Sequence, residues 1–71
     1  MPRVIRLFQI RNEISENDAE EIVARLKLLD GIVKAQADVA SGVIEVEYEN
    51  AIIDRYLIQE ELSKLGFDML I

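Results

Sequence analysis

The chain has 71 residues, read as one domain over residues 1–71 that buries about 60 % of the surface its unfolded chain exposes. It has neither cysteine nor histidine, which excludes disulfide staples, thiolate zinc sites, thiol nucleophiles and imidazole bases or ligands together. The composition, 51 % apolar and 31 % charged, is that of a globular chain, and a formal charge of −6 from 14 acids against 8 bases has the wrong sign for a nucleic-acid partner.

The N-terminal segment is basic, but Arg3, Arg6 and Arg11 interrupt its apolar run, so no signal-peptide core fits there. No stretch approaches the ~20 apolar residues of a membrane span. A cytoplasmic chain with no membrane partner is the expectation. Val4 to Ile10 is apolar on both sides of an alternation, with Val4, Phe8 and Ile10 against Ile5 and Leu7, which predicts a central strand. Ser15 starts a helix, with Asp18 placed to return the second bond of a capping box. Glu16, Asp18, Glu20 and Glu21 suit the positive end of its dipole. Ala19, Ile22, Val23, Leu26 and Leu29 give it one apolar face, and Asp30-Gly31 is expected to end it.

Val33, Ala35, Ala37 and Val39 alternate with Lys34, Gln36 and Asp38, a half-buried strand. Ser41-Gly42 is a turn. Ile44, Val46 and Tyr48 alternate with Glu45, Glu47 and Glu49 to complete an antiparallel hairpin. Asp54 caps a second helix with a stripe of Ile58, Leu62 and Leu65 that Gly66 closes, and Phe67 to Ile71 reads as a short final strand. The order βαββαβ predicts an α+β, ferredoxin-like sandwich: a four-stranded antiparallel sheet with two helices on one face.

Joint, ungapped spacing from Phe8 to Phe67 resembles the heavy-metal-associated domain of copper chaperones and metal-transporting ATPases. Leu29-Asp30-Gly31-Ile32 is similar to the family's leucine-x-glycine-valine helix exit. The hairpin from Ala35 through Ser41-Gly42 to Glu49 resembles the family's in register, as do Ile58, Leu62 and Gly66-Phe67 its second helix and the glycine-tyrosine after it. The family binds soft metal through a methionine-x-cysteine-x-x-cysteine loop. Counted back from Gly31, those positions are Glu13, Ser15 and Asp18. A hydroxyl and carboxylates do not select copper(I) as thiolates do, so copper handling does not carry over.

The loop from Glu13 to Asp18 offers only hard oxygen donors, of the kind calcium or magnesium accept. Glu16 and Asp18 diverge by about 200° on a helix at ~100° per residue, and a helix N-terminus disfavours a cation. The segment therefore reads first as a cap, with Glu13, Ser15 and Asp18 as candidate ligands for a hard divalent ion. Glu45, Glu47 and Glu49 lie ~6.6 Å apart at Cα along one strand, too far to share a proton, and read as a solvated face with Arg11, Lys34 or Arg6 as cross-strand cations. The family likeness implies that Phe8 and Ile10 face the helices. Ile5 and Leu7 then point from the open sheet face beside Val43, within a rim of Glu45, Glu47, Arg11 and Lys34.

These residues predict a non-catalytic binding or interaction module with no cofactor and a protein partner or a homodimer. Its candidate surface is Ile5, Leu7, Val43, Glu45 and Glu47. The alternatives are a metal-binding protein with oxygen ligands, or an ACT-like small-ligand sensor with Gly31 near its interface. Catalysis without histidine or cysteine is the least supported reading.

Overall fold

Residues 3–70 are described by a computed structural model; Met1, Pro2 and Ile71, the last being the far end of the expected final strand, lie outside the described residues. The elements run β1 (Arg3–Ile10), α1 (Glu16–Lys27), β2 (Ile32–Asp38), β3 (Val43–Glu49), α2 (Arg55–Lys64) and β4 (Met69–Leu70). The sheet order is β2-β3-β1-β4 with every neighbouring pair antiparallel. Alternation decides which side chains turn inward: Phe8 and Ile10 from β1, and Ile44, Val46 and Tyr48 from β3. They join Ile22 and Leu26 of α1 and Ile58 and Leu62 of α2 in one buried cluster, which places both helices on the same face. This is the ferredoxin-like plait that the order of elements implied.

Each helix begins on a cap and a staple. Ile14 precedes the cap Ser15, and Ile53 precedes the cap Asp54, whose side chain accepts the Leu57 N–H at 3.0 Å. Both isoleucines are buried, each five residues before its helix's first inward side chain, Ala19 and Ile58. That is the spacing of a hydrophobic staple, which fixes the angle at which the chain enters the helix.

Two expectations are corrected. The first helix stops at Lys27, and the Leu28 N–H closes it on the Arg25 and Leu26 carbonyls, before the Asp30-Gly31 pair that was expected to end it. Gly31 does adopt a positive φ of +96°, but its reason is a close approach. A Cβ there would lie 2.8 Å from Cγ2 of Ile53 and 3.0 Å from Cγ2 of Ile52. The second correction concerns the apolar row of β2. The register with β3 shifts between Ile32 and Lys34, so Val33 is exposed while Ala35 is buried and Ala37 half-buried. Val39 lies beyond the strand and is also exposed. A bulge on an edge strand breaks the two-residue period that alternation assumes.

Candidate functional site

The loop between β1 and α1 is held from both ends. The Ser15 hydroxyl accepts the Asp18 N–H at 3.0 Å, and Asp18 Oδ2 accepts the Ser15 N–H at 2.9 Å. Before it, the Arg11 N–H donates to the Asp68 carbonyl at 2.8 Å, and Asn12 Oδ1 accepts the Asp68 N–H at 3.0 Å. Beneath the loop Ile14 and Phe67 are both buried in the main cluster. Glu13 is exposed. Ser15 and Asp18 thus turn polar atoms to each other's backbone, and among the described residues no three Asp or Glu side chains converge to hold a metal ion. Gly31, on which a small-ligand interface would rest, is packed against Ile52 and Ile53 of its own chain.

The open face of the sheet presents three columns. Ile5 and Leu7 project from β1 and are 63 % and 65 % exposed. In register they lie opposite Glu47 and Glu45 of β3, with Lys34 and Gln36 of β2 beyond those. Val43, half-buried, pairs with Gln9 and so sits diagonal to Leu7. The structure brings these interaction-surface residues together, with acids along one flank. Arg11 lies past the end of β1. The cation that meets the acids is Arg3, at 3.7 Å from Glu47 and 3.9 Å from Glu49. Arg6, on the even-numbered side of β1, belongs to the opposite face of the sheet from these acids. Exposed pairs of this kind contribute about 0–1 kcal/mol each, so they order the row more than they stabilise it.

Sequence reasoning missed a second cluster, on the helix side of β1. Arg6, Phe8, Arg55, Tyr56, Gln59 and Leu70, with Leu7 at the margin, line a groove of about 260 Å³. The Arg55 guanidinium stacks 4.9 Å from the Tyr56 ring centroid and donates to its hydroxyl at 2.9 Å. That hydrogen bond, with the attraction of the Tyr56 phenolate at high pH, raises the Arg55 pKa above its ordinary value. No local signal marks this cluster, because Arg6 and Arg55 are distant in sequence and only the packing of α2 against the sheet brings them together. Elsewhere on α2, Lys64 pairs with Glu61 at 3.4 Å and Glu60 at 3.9 Å, a solvated helix face.

No protein-family model and no curated protein matches the chain. Solved structures do match it. The CopZ metallochaperone superposes with a TM-score of 0.90 at 13 % identity, over 94 % of this chain and 100 % of that one. The fold is that of the heavy-metal-associated domains. The N-terminal domain of a potential copper-translocating P-type ATPase from Bacillus subtilis, in its Cu(I)-loaded state, superposes at 0.87 with 24 % identity, over 94 % of this chain and 84 % of that one. The apo N-terminal domain of the zinc(II) ATPase ZiaA gives 0.83 with 25 % identity, over 96 % of each chain. The heavy-metal-associated fold is present here without a single cysteine. Ser15 and Asp18 keep the i, i+3 spacing that the resemblance assigns to the two thiolates, and in this chain that spacing makes a closed helix cap.

Proposed function

We propose that this chain is a non-catalytic interaction module, residues 1–71 acting as one unit. It keeps the heavy-metal-associated framework, has no thiol metal site, and acts through a protein contact in the cytoplasm. The observation that carries this reading is the pair of aliphatic side chains, Ile5 and Leu7, exposed side by side on a strand next to the sheet's centre. Covering a large aliphatic side chain fully contributes ~1.5–3 kcal/mol, enough for two of them to anchor a contact. Glu45 and Glu47 along the flank supply the polar rim and repel nucleic acid and anionic lipid alike. Among the described residues no helix is long and apolar enough to cross a membrane. The contact is with a protein, either a partner in metal-ion handling, by analogy with the chaperone and ATPase domains that share the fold, or a second copy.

Native mass spectrometry with copper(I), zinc and calcium added in turn tests the reading. The expected spectrum is apo protein under all three additions. A dimer signal that grows with concentration and disappears in Leu7→Asp identifies the second copy as the partner, and a strict monomer removes it and leaves a different protein. A stoichiometric metal adduct lost in Asp18→Ala overturns the proposal in favour of oxygen ligation.

A further inference from the structure

Strand β2 lies at one margin of the sheet, with β3 on one side and, among the described residues, no strand on the other. Its bulge is confined to its start, and from Lys34 to Asp38 the register with β3 runs without a shift. Two bonds show which way the main chain points. The Ile10 N–H donates to the Gly42 carbonyl, and the Glu49 N–H donates to the Gly31 carbonyl, both at 2.8 Å. In an antiparallel ladder a residue's N–H and C=O share an edge, and successive residues alternate edges. Even-numbered residues of β3 therefore face β1. Val43, Glu45 and Glu47 face β2, where they meet Asp38, Gln36 and Lys34. Ala35 and Ala37 turn their N–H and C=O outward, away from the sheet.

A lysine on an edge strand ordinarily guards it against a second edge. Here the complement of Lys34 lies four residues along the same strand, at Asp38. Three antiparallel self-pairings set outward residues opposite each other. Centring on Ala35 places Lys34 against Gln36, and centring on Ala37 places Asp38 against Gln36. Centring on Gln36 places Ala35 against Ala37, where the four outward backbone groups bond, and sets Lys34 of each copy against Asp38 of the other. Those two fall at positions where opposite side chains approach most closely. Neither Lys34 nor Asp38 has an ion-pair partner among the described residues, although Lys34 stands opposite Glu47, because Glu47 meets Arg3 instead. The same register brings Val33 level with Val39 of the copy, and both are exposed.

The helix layer repeats the pattern. Beside Ala37 a groove runs along α1, lined by Glu20, Val23, Ala24 and Lys27. A twofold axis through the Gln36 pair sets α1 antiparallel to its copy on the same face of the joined sheet. Glu20 of one helix then stands level with Lys27 of the other, with the small side chain of Ala24 between them.

We propose that β2 is a self-association edge: two copies join antiparallel about Gln36 into one eight-stranded sheet, with Lys34 on Asp38 in both directions. This contact is separate from the open face of Ile5 and Leu7 and goes beyond it.

Sedimentation and residue-by-residue amide exchange on the full chain test the proposal. As concentration rises a dimer is expected to form, and the Ala35 and Ala37 amides to slow by about tenfold or more, as burial in a ladder does. The Lys34 and Gln36 amides, already in the β3 ladder, should change little. Lys34→Asp alone and Asp38→Lys alone each set like charges opposite, and each is expected to raise the concentration needed for dimers by about tenfold. An equimolar mixture of the two variants restores both pairs, so native mass spectrometry should find dimers of mixed mass. Asp38 also accepts the Ala40 N–H and the Ser41 hydroxyl in the hairpin turn, so the exchange measurement on the parent chain decides the matter without that variant. A chain that stays monomeric into the millimolar range overturns the inference and leaves the open face to a different protein. A dimer whose Ala35 and Ala37 amides exchange as fast as the monomer's also overturns it. So does a dimer lost in Leu7→Asp but kept in Lys34→Asp, which puts the second copy on the open face.

Discussion

Ser15 and Asp18 each satisfy a backbone donor that the other carries, so neither bond is independent of its neighbour. Removing a cap side chain costs about 1 kcal/mol. Ser15→Ala and Asp18→Ala are each expected to lose roughly that much, and the double variant less than their sum, because residues within one bonded unit couple. Urea unfolding of the four proteins completes the cycle, and strict additivity would show two separate bonds. This part of the site was legible in the sequence because the box is local, with donor and acceptor three residues apart. Gly31 was legible only in part. Its glycine-specific backbone follows from the Asp-Gly pair, but the contact that demands it comes from Ile52 and Ile53, more than twenty residues away. No periodicity near Gly31 reports that approach. Arg3 escaped notice for a similar reason, since its partners Glu47 and Glu49 are fixed by strand register rather than by proximity along the chain.

At the scale of the element, β1 carries the consequence of unequal edges. The amides of Arg6 and Phe8 point to β3, and those of Ile5 and Leu7 point outward. In the protein alone, exchange should therefore alternate along the strand, slow at the even positions and fast at Ile5 and Leu7. Uniform protection from Val4 to Phe8 would mean that something covers the edge. Alternation split β1 into two sides but both are apolar, so it was the family likeness that turned Phe8 and Ile10 to the core and Ile5 and Leu7 to the open face, as the burial has it. The pairing of its other edge was not legible, because it is set by a different element. The segment from Phe67 reads as a strand of five residues, yet Phe67 turns into the core, and among the described residues only Met69 and Leu70 pair with β1. An element's type is written in its own residues, whereas its pairing partner is set by tertiary packing.

Across the whole molecule, stability rests on one cluster fed by both helices and by β1, β2 and β3. For a chain of 71 residues the total is on the order of 5 kcal/mol. Truncating a fully buried leucine costs about 2–5 kcal/mol. Leu62→Ala, at the centre of α2's inward face, is thus expected to remove most of the margin and leave a substantially unfolded population at 37 °C. Leu28→Ala, on an exposed leucine of similar size, should stay within about 0.5 kcal/mol of the parent. Circular-dichroism melts of the two variants separate core from surface, and equal effects would show that the cluster is not where stability resides. The fold at this scale was the most legible feature, because six bounded elements in the order βαββαβ admit few compact arrangements. The acids of β3 and the basic groove beside Arg55 show why net charge was a poor guide to individual surfaces: a sum of −6 conceals a positive patch.

The loop that joins β1 to α1 contains no sulfur, and its shape is set by oxygen-to-amide bonds. Thiolate loops change state with oxidants, chelators and the glutathione poise of their compartment. This one has no such variable. Oxidants and thiol-directed chelators therefore leave the loop unchanged, and its shape follows only the hydrogen bonds of the helix cap and of Asn12.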